Sequence, residues 1–176
     1  MLIALLAATV LTPQVPVYKP NGPIVQVVMA GRGRFEITTD PTCSPKTVAH
    51  ILALVKKRFY DRQRIHRVEP WVTQWGASAS KTKPLTTEEV LGGGSGKDIP
   101  VFEMCEVDFT RGVVGIASTG LQMPGDSQIF ILKKDTLRLY HSYAVFGKVT
   151  KGMEVVDRIA KGDRIKAMRI IKPKSR

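Results

Sequence analysis

Two stretches of this 176-residue chain place polar side chains beside apolar ones, as ligand-binding grooves do. In "DSQIFI", residues 126–131, strand alternation puts Gln128 and Phe130 on one face. In "IHRVEPWVTQWG", residues 65–76, Arg67 and Gln74 come within reach of a common face. An aromatic ring with a few orienting polar groups is typical of a ligand pocket. An edge strand with a solvated Gln128 is the simpler alternative.

Motifs for phosphate, covalent or metal chemistry have little support. The glycine-rich segment 92–97 lacks the spacing of a P-loop, and Asp98 stands where Ser or Thr would hold magnesium. Lys97 replaces the closing glycine of a nucleophile elbow around Ser95. The histidines also lack metal-like spacing: His50, His66 and His141. The sequence therefore favours neither a kinase, a hydrolase nor a metalloenzyme, and it indicates no metal and no cofactor.

Many short strands are predicted to position these residues. Segments 24–30 and 34–38 are rich in β-formers and are joined by a glycine-containing turn, which indicates a hairpin. Further strands are predicted over residues 64–68, 72–75, 113–117, 128–131, 144–149 and 167–171. Because these strands do not alternate regularly with helices, the pattern predicts an antiparallel sheet closed into a barrel.

Two helices and one long loop complete the predicted elements. The first helix begins with Ser44 as N-cap and Pro45 at its first position, and His50 lies off its apolar stripe, which predicts an exposed side chain. The second is predicted over residues 153–161. Residues 77–100 form a polar loop whose length is typical of functional or mobile segments.

Four ordered blocks resemble the cyclophilin family of peptidyl-prolyl isomerases, in a bacterial-like form. They are "IHRVEPWVTQWG", "GIASTG", "DSQIFI" and "YAVFGKV", and the resemblance extends over about residues 24–171. Ordered blocks at family spacing are more specific than a single short motif. The resemblance implies a mainly β fold, an eight-stranded antiparallel barrel capped by two α-helices, with a surface groove for prolyl peptides.

The resemblance also assigns roles to individual residues. Arg67 matches the catalytic arginine of the family. If the chain lacks the glycine that follows the motif's proline, Trp71, Val72 and Gln74 match the pocket Phe, Met and Gln. Without that gap, Val72 and Thr73 would take the pocket positions and the glutamine would be lost, so we prefer the gap. The remaining substrate-binding matches are Ala117, Ser118, Gln128, Phe130, Leu139 and Tyr143.

The chain departs from the family pattern near the groove. Ile65 and Ile129 replace phenylalanines, one residue is inserted between the second and third blocks, and Arg138 stands where many members carry a Trp that contacts their cyclic-peptide inhibitor. The implied activity is catalysis of rotation about X-Pro bonds, which assists folding. The alternative is a prolyl-peptide-binding chaperone or scaffold with little turnover. We expect proline-containing peptides and unfolded or folding proteins as partners, and a monomer.

The chain is strongly basic, with 27 Lys and Arg against 15 Asp and Glu and a formal net charge of +12. A positive net charge of this size increases solubility and attracts acidic partners, but it does not determine the fold. Because the basic stretches carry few aromatic residues and no known motif, a solvated surface is favoured over a nucleic-acid site. Cys43 and Cys105 are too few for a disulfide framework, and both a single bridge and two free thiols remain open.

The N-terminal stretch differs from the rest of the chain. Residues 2–11 are apolar, too short to span a bilayer, and precede a Pro-rich spacer. We predict a signal segment and spacer over residues 1–23, an isomerase domain over 24–172 and a basic tail over 173–176. This favours export to the periplasm or cell envelope. A cytoplasmic protein with an N-terminal extension is the alternative.

Overall fold

The computed structural model describes residues 17–172, and eight strands form one sheet in this part of the chain. The strands are β1 (Ile24–Met29), β2 (Gly33–Thr39), β3 (Arg67–Val68), β4 (Val72–Trp75), β5 (Val113–Ile116), β6 (Ile129–Leu132), β7 (Val145–Lys151) and β8 (Ile165–Ile171). Their order across the sheet is β3-β4-β6-β5-β7-β2-β1-β8, and all neighbours are antiparallel.

The sheet curls until its two ends meet. Arg62 N–H donates to the carbonyl of Ile165 at 2.8 Å, and Ile65 N–H donates to that of Asp163 at 2.9 Å. The segment before β3 therefore lies beside the start of β8. The predicted mainly β fold with eight antiparallel strands is confirmed. The predicted strand 64–68 is reduced to a two-residue β3, because its first residues pair with the segment just before β8 instead of with β4.

Three helices lie outside the sheet in the described residues: α1 (Pro45–Lys56), α2 (Glu88–Leu91) and α3 (Met153–Asp157). The prediction of a helix over residues 153–161 is wrong at its C-terminal end. Arg158 and Ile159 donate to carbonyls only three residues back, and Ala160 N–H donates to the Asp163 carboxylate at 2.8 Å. These bonds tighten the chain into a turn, which ends α3 early.

The start of α1 is held by a distant carboxylate. Ser44 occupies the N-cap position and Pro45 follows it, as predicted, but the Ser44 side chain makes no capping bond. Glu103 accepts hydrogen bonds from the backbone N–H groups of Lys46 at 3.0 Å and Thr47 at 2.7 Å. A carboxylate at a helix N-terminus satisfies unpaired donors and complements the helix dipole.

A disulfide joins the same two regions of the chain. Cys43 and Cys105 are bonded, with their Cα atoms 5.5 Å apart. The sequence left open whether these thiols meet, and the bridge ties the residue before the N-cap of α1 to the loop that carries Glu103. For a loop of this length, the bond contributes about 4 kcal/mol by the chain-entropy estimate.

Apolar side chains form two clusters on opposite sides of the sheet. The larger cluster fills the interior, where Trp75 packs edge-on against Phe35 with ring centroids 6.3 Å apart. The smaller cluster comprises Val72, Val107, Phe109, Val113, Phe130, Leu132, Leu139 and Val145. Because β4 is buried on both faces, Trp75 joins the interior while Val72 joins the smaller cluster.

Two predicted segments lie outside the described residues. The apolar stretch at residues 2–11 and the basic tail at 173–176 lie beyond residues 17–172. Within residues 17–172, no helix combines the length and the hydropathy that crossing a bilayer requires.

Candidate functional site

A groove of about 220 Å³ opens where β3, β4 and β6 pass beside a short turn at Leu137–Leu139. Eight of the ten residues that the sequence nominated line this groove: Arg67, Trp71, Val72, Gln74, Ala117, Phe130, Leu139 and Tyr143. The other two, Ser118 and Gln128, line a cavity that shares Gln74 and Ala117 with it. The structure therefore brings all ten residues to one continuous surface.

Strand register aligns the central residues of the groove. Arg67 on β3 pairs with Gln74 on β4, and Gln74 pairs with Phe130 on β6. Directly paired residues point to the same face of a sheet. A cation, an amide and an aromatic ring consequently form a row across three strands. Thr73 lies between two groove residues on the same strand and is fully buried outside the groove lining, so the groove takes Val72 and Gln74.

Phe130 forms the apolar floor of the groove. Its side chain is 4% exposed, its ring stacks on Phe109 with centroids 6.3 Å apart, and it meets Tyr143 edge-on at 5.4 Å. The ring lies over Gly115, where an added Cβ would come within 2.4 Å of the Phe130 Cζ. Only glycine at position 115 therefore allows the Phe130 ring to keep this position.

A chain of hydrogen bonds orients the polar side of the groove. Arg67 donates from Nε to Glu69 at 3.0 Å and from Nη1 to the Gln74 side-chain oxygen at 3.4 Å. Gln74 donates to the Gln128 oxygen at 2.6 Å. Gln128 in turn donates to the carbonyls of Leu91 at 3.0 Å and Gly93 at 2.8 Å. The guanidinium is thus held by two acceptors, while Nη2 has no hydrogen-bond partner among residues 17–172.

Two cations flank one indole at the mouth of the groove. The guanidinium carbons of Arg67 and Arg138 each lie 5.2 Å from the ring centroid of Trp71. This is within the range of cation–π attraction. The sequence identified Arg138 only as a departure from the family pattern, but the structure makes it a groove-lining residue.

His66, next to the groove arginine, was also missed. Its side chain is buried, with 2% exposure, and it borders a neighbouring cavity that Arg67 also lines. Burial, and then the positive charge of Arg67, lower the pKa of His66 to about 4. His66 is therefore neutral near pH 7 and adds no second charge beside Arg67. In the sequence, the feature that could have indicated His66 is that it directly precedes Arg67.

The cavity beside the groove has a volume of about 440 Å³, and the loop at residues 92–96 forms one wall. Asp126 anchors this loop by accepting bonds from Ser95 N–H and from Ser95 Oγ, both at 2.5 Å, and from Gly96 N–H at 3.0 Å. His50 contacts the same carboxylate at 3.2 Å. The prediction that His50 is exposed is therefore wrong, because α1 turns it toward this wall.

Comparisons with known proteins show which proteins this chain is similar to. Residues 24–174 match the family model described as cyclophilin type peptidyl-prolyl cis-trans isomerase/CLD. A probable peptidyl-prolyl cis-trans isomerase of Brucella abortus is 35% identical over 147 residues, 81% of this chain and 74% of that protein. Peptidyl-prolyl cis-trans isomerase B of Bacillus subtilis is 30% identical over 142 residues, 78% of this chain and 90% of that protein.

Solved structures give the same picture of the fold. A cyclophilin type peptidyl-prolyl cis-trans isomerase from Cryptosporidium parvum superposes with a TM-score of 0.72 at 20% identity, covering 86% of this chain and 98% of that one. A second crystal structure of that protein, obtained in the presence of the dipeptide Ala-Pro, gives a TM-score of 0.71 at 21% identity, with 85% and 99% coverage.

Proposed function

Because this chain belongs to the cyclophilin-type peptidyl-prolyl cis-trans isomerases, we propose that its groove holds an X-Pro segment while Arg67 promotes rotation about the bond. Isomerisation of proline-containing peptides is the activity of the family and of this chain. The assignment of individual residues is our proposal. The observation that supports it is the row of Arg67, Gln74 and Phe130 across three strands.

The reaction requires stabilisation of a twisted amide. Resonance across an X-Pro bond sets a barrier near ~20 kcal/mol, and rotation takes tens to hundreds of seconds without catalysis. No covalent bond is made or broken. Groups that bind the twisted amide more tightly than the planar amide accelerate the rotation. A thousandfold acceleration needs about 4 kcal/mol of such differential binding.

Arg67 is suited to supply this stabilisation. In the twisted state the prolyl nitrogen regains its lone pair, and a guanidinium can donate to that nitrogen and to the neighbouring carbonyl region. A guanidinium stays charged at every working pH and presents its donors in a rigid plane. Glu69 and Gln74 fix that plane, and the unpartnered Nη2 is available to the substrate.

The apolar part of the groove is suited to hold the proline ring. Phe130 forms its floor, and Trp71, Val72 and Leu139 form its walls. Tyr143 packs against the ring of Phe130 and limits its movement. With the proline ring fixed, the preceding carbonyl is the part that turns. We propose that the residue before proline lies at Ala117 and Ser118, which line the larger cavity.

A protease-coupled assay on an Ala-Pro peptide tests the role of Arg67. We expect Arg67→Ala to lose at least about 2 kcal/mol of transition-state stabilisation, roughly thirtyfold in kcat/KM, with an unchanged melting temperature. Arg67→Lys keeps the charge but loses the planar fork, so its rate should lie between the two. Arg158→Ala, at an exposed arginine outside the groove, serves as control. Equal rates for Arg67→Ala and the unaltered protein would contradict the assignment.

We further propose that the substrates are proline-containing segments of unfolded or folding proteins, bound by a monomer, and that the chain is exported. Disulfides persist mainly in oxidising compartments, so the Cys43–Cys105 bond supports export. Cell fractionation combined with the mass of the purified chain tests both the location and the removal of residues 1–23. Recovery of unprocessed protein from the cytoplasm alone would contradict export.

A further inference from the structure

Arg138 places an additional positive charge at the mouth of the groove. It lies in the turn Leu137–Leu139, is exposed, and holds its guanidinium 5.2 Å from the centre of the Trp71 ring. Arg67 lies at the same distance from the same ring. A guanidinium group at the mouth of the groove attracts anions by its charge.

The two arginines differ in how they are neutralised. Arg67 has the carboxylate of Glu69 at 3.0 Å. Arg138 has no carboxylate within 4 Å among the residues that the structure describes, and Glu106 is engaged by Tyr140 and His141. A substrate carboxylate would therefore be the counter-ion of Arg138 and would have no internal acid to displace.

The position of Arg138 along the groove indicates which part of the substrate it meets. Gln74 and Ala117 line both the groove and the 440 Å³ cavity beside it, whereas Trp71, Arg138 and Leu139 line the groove alone. If the residue before proline lies toward Ala117 and Ser118, the chain after proline leaves past Trp71 and Arg138.

We propose that Arg138 is a specificity-determining residue that favours substrates with an acidic side chain on the C-terminal side of proline. This inference rests on the proposed use of the groove and adds a substrate class to it. Because Arg138 is exposed, the preference is modest, about two- to fivefold for a carboxylate over its neutral isostere. Salt should weaken it, since exposed charges are screened.

The test compares peptides that differ at a single position. Three peptides carry Glu, Gln or Lys after proline, and a second set carries the same residues before the X-Pro pair. For the first set we expect a Glu-to-Gln ratio in kcat/KM of about three for the unaltered protein and about one for Arg138→Gln. Arg138→Glu should reverse the preference toward Lys. Arg158→Gln removes the same charge outside the groove and should keep the ratio of the unaltered protein.

The outcomes distinguish this inference from the proposed function. Turnover of the neutral Gln peptide reports on the isomerase assignment alone, and the Glu-to-Gln ratio reports on Arg138. If turnover is too slow to measure, titration of the same peptides gives the ratio as a ratio of affinities. Equal ratios for the unaltered protein and Arg138→Gln would overturn the inference. A preference seen only in the second peptide set would overturn the placement of Arg138 after proline.

Discussion

Gly115 determines the depth of the groove, although it does not line it. It pairs with Phe130 across β5 and β6, and the Phe130 ring occupies the space that any side chain at position 115 would need. A Cβ there would lie 2.4 Å from Phe130 Cζ and 2.7 Å from Cε1. The ring can avoid this contact only by moving outward, into the space proposed for proline.

Gly115→Ala should therefore weaken peptide binding without altering any residue that lines the groove. We expect at least a tenfold loss in affinity for an Ala-Pro peptide, together with a destabilisation of about 1–3 kcal/mol from overpacking. Peptide titration and thermal melts measure the two effects. Gly120→Ala, whose Cβ meets Met123 Cγ at 3.3 Å, is the matched control. Unchanged affinity in Gly115→Ala would show that the floor can shift without closing the pocket.

His66 makes stability depend on pH. Its pKa in the folded chain, about 4, lies below its ordinary value of 6.5, so folding disfavours the protonated ring. The contribution to stability is complete above about pH 6.5 and declines as the pH falls from there toward 4. The lowered pKa means that protonating His66 costs roughly 3 kcal/mol more in the folded chain than in the unfolded chain.

Urea unfolding between about pH 7 and pH 4 measures this dependence. We expect the free energy of unfolding of the unaltered protein to decline across this range and the decline to be smaller in His66→Gln. His141→Gln changes a histidine that contacts Glu106 on the surface and serves as control. If His66→Gln shows the same slope as the unaltered protein, another group carries the pH dependence.

The helix α1 shows what a sequence can and cannot specify about an element. Ser44 and Pro45 marked its first turn, because both residues have strong local preferences there. The group that caps the helix is Glu103, more than fifty residues away, and no local pattern indicates it. Similarly, runs of β-forming residues located all eight strands, but the shortening of β3 depends on pairing between residues 62–65 and residues 163–165.

The two candidate caps can be separated by paired substitutions. Glu103→Ala removes two hydrogen bonds to the start of α1 and should cost about 1–2 kcal/mol of unfolding free energy. Ser44→Ala removes a hydroxyl that makes no capping bond and should cost less than Glu103→Ala. Denaturant unfolding of the two variants in the oxidised state provides the comparison. A larger loss of unfolding free energy for Ser44→Ala would show that Ser44, and not Glu103, caps the helix.

At the scale of the whole molecule, the sequence indicated the amount of charge but not its distribution. Several basic residues are neutralised by partners far away in the chain, as in Arg32 with Asp163 at 2.9 Å and Arg111 with Asp157 at 2.6 Å. Arg169, 2.8 Å from Asp61, lowers the pKa of that carboxyl. Such pairs place acidic side chains among the basic ones. The net charge of +12 is therefore not concentrated in a single patch of cations.

This distribution leads to a prediction about nucleic acids. Binding of the full chain to duplex and single-stranded oligonucleotides should be weak and should fall steeply with salt, because contacts made only to phosphates release counter-ions. Deleting residues 174–176 should reduce that binding and leave the isomerisation of a neutral peptide unchanged. Affinity measurements at a low and a physiological salt concentration, with both forms of the protein, test this. Sequence-selective binding that survives physiological salt would require base contacts, and a surface divided by ion pairs would then be the wrong description of the basic excess.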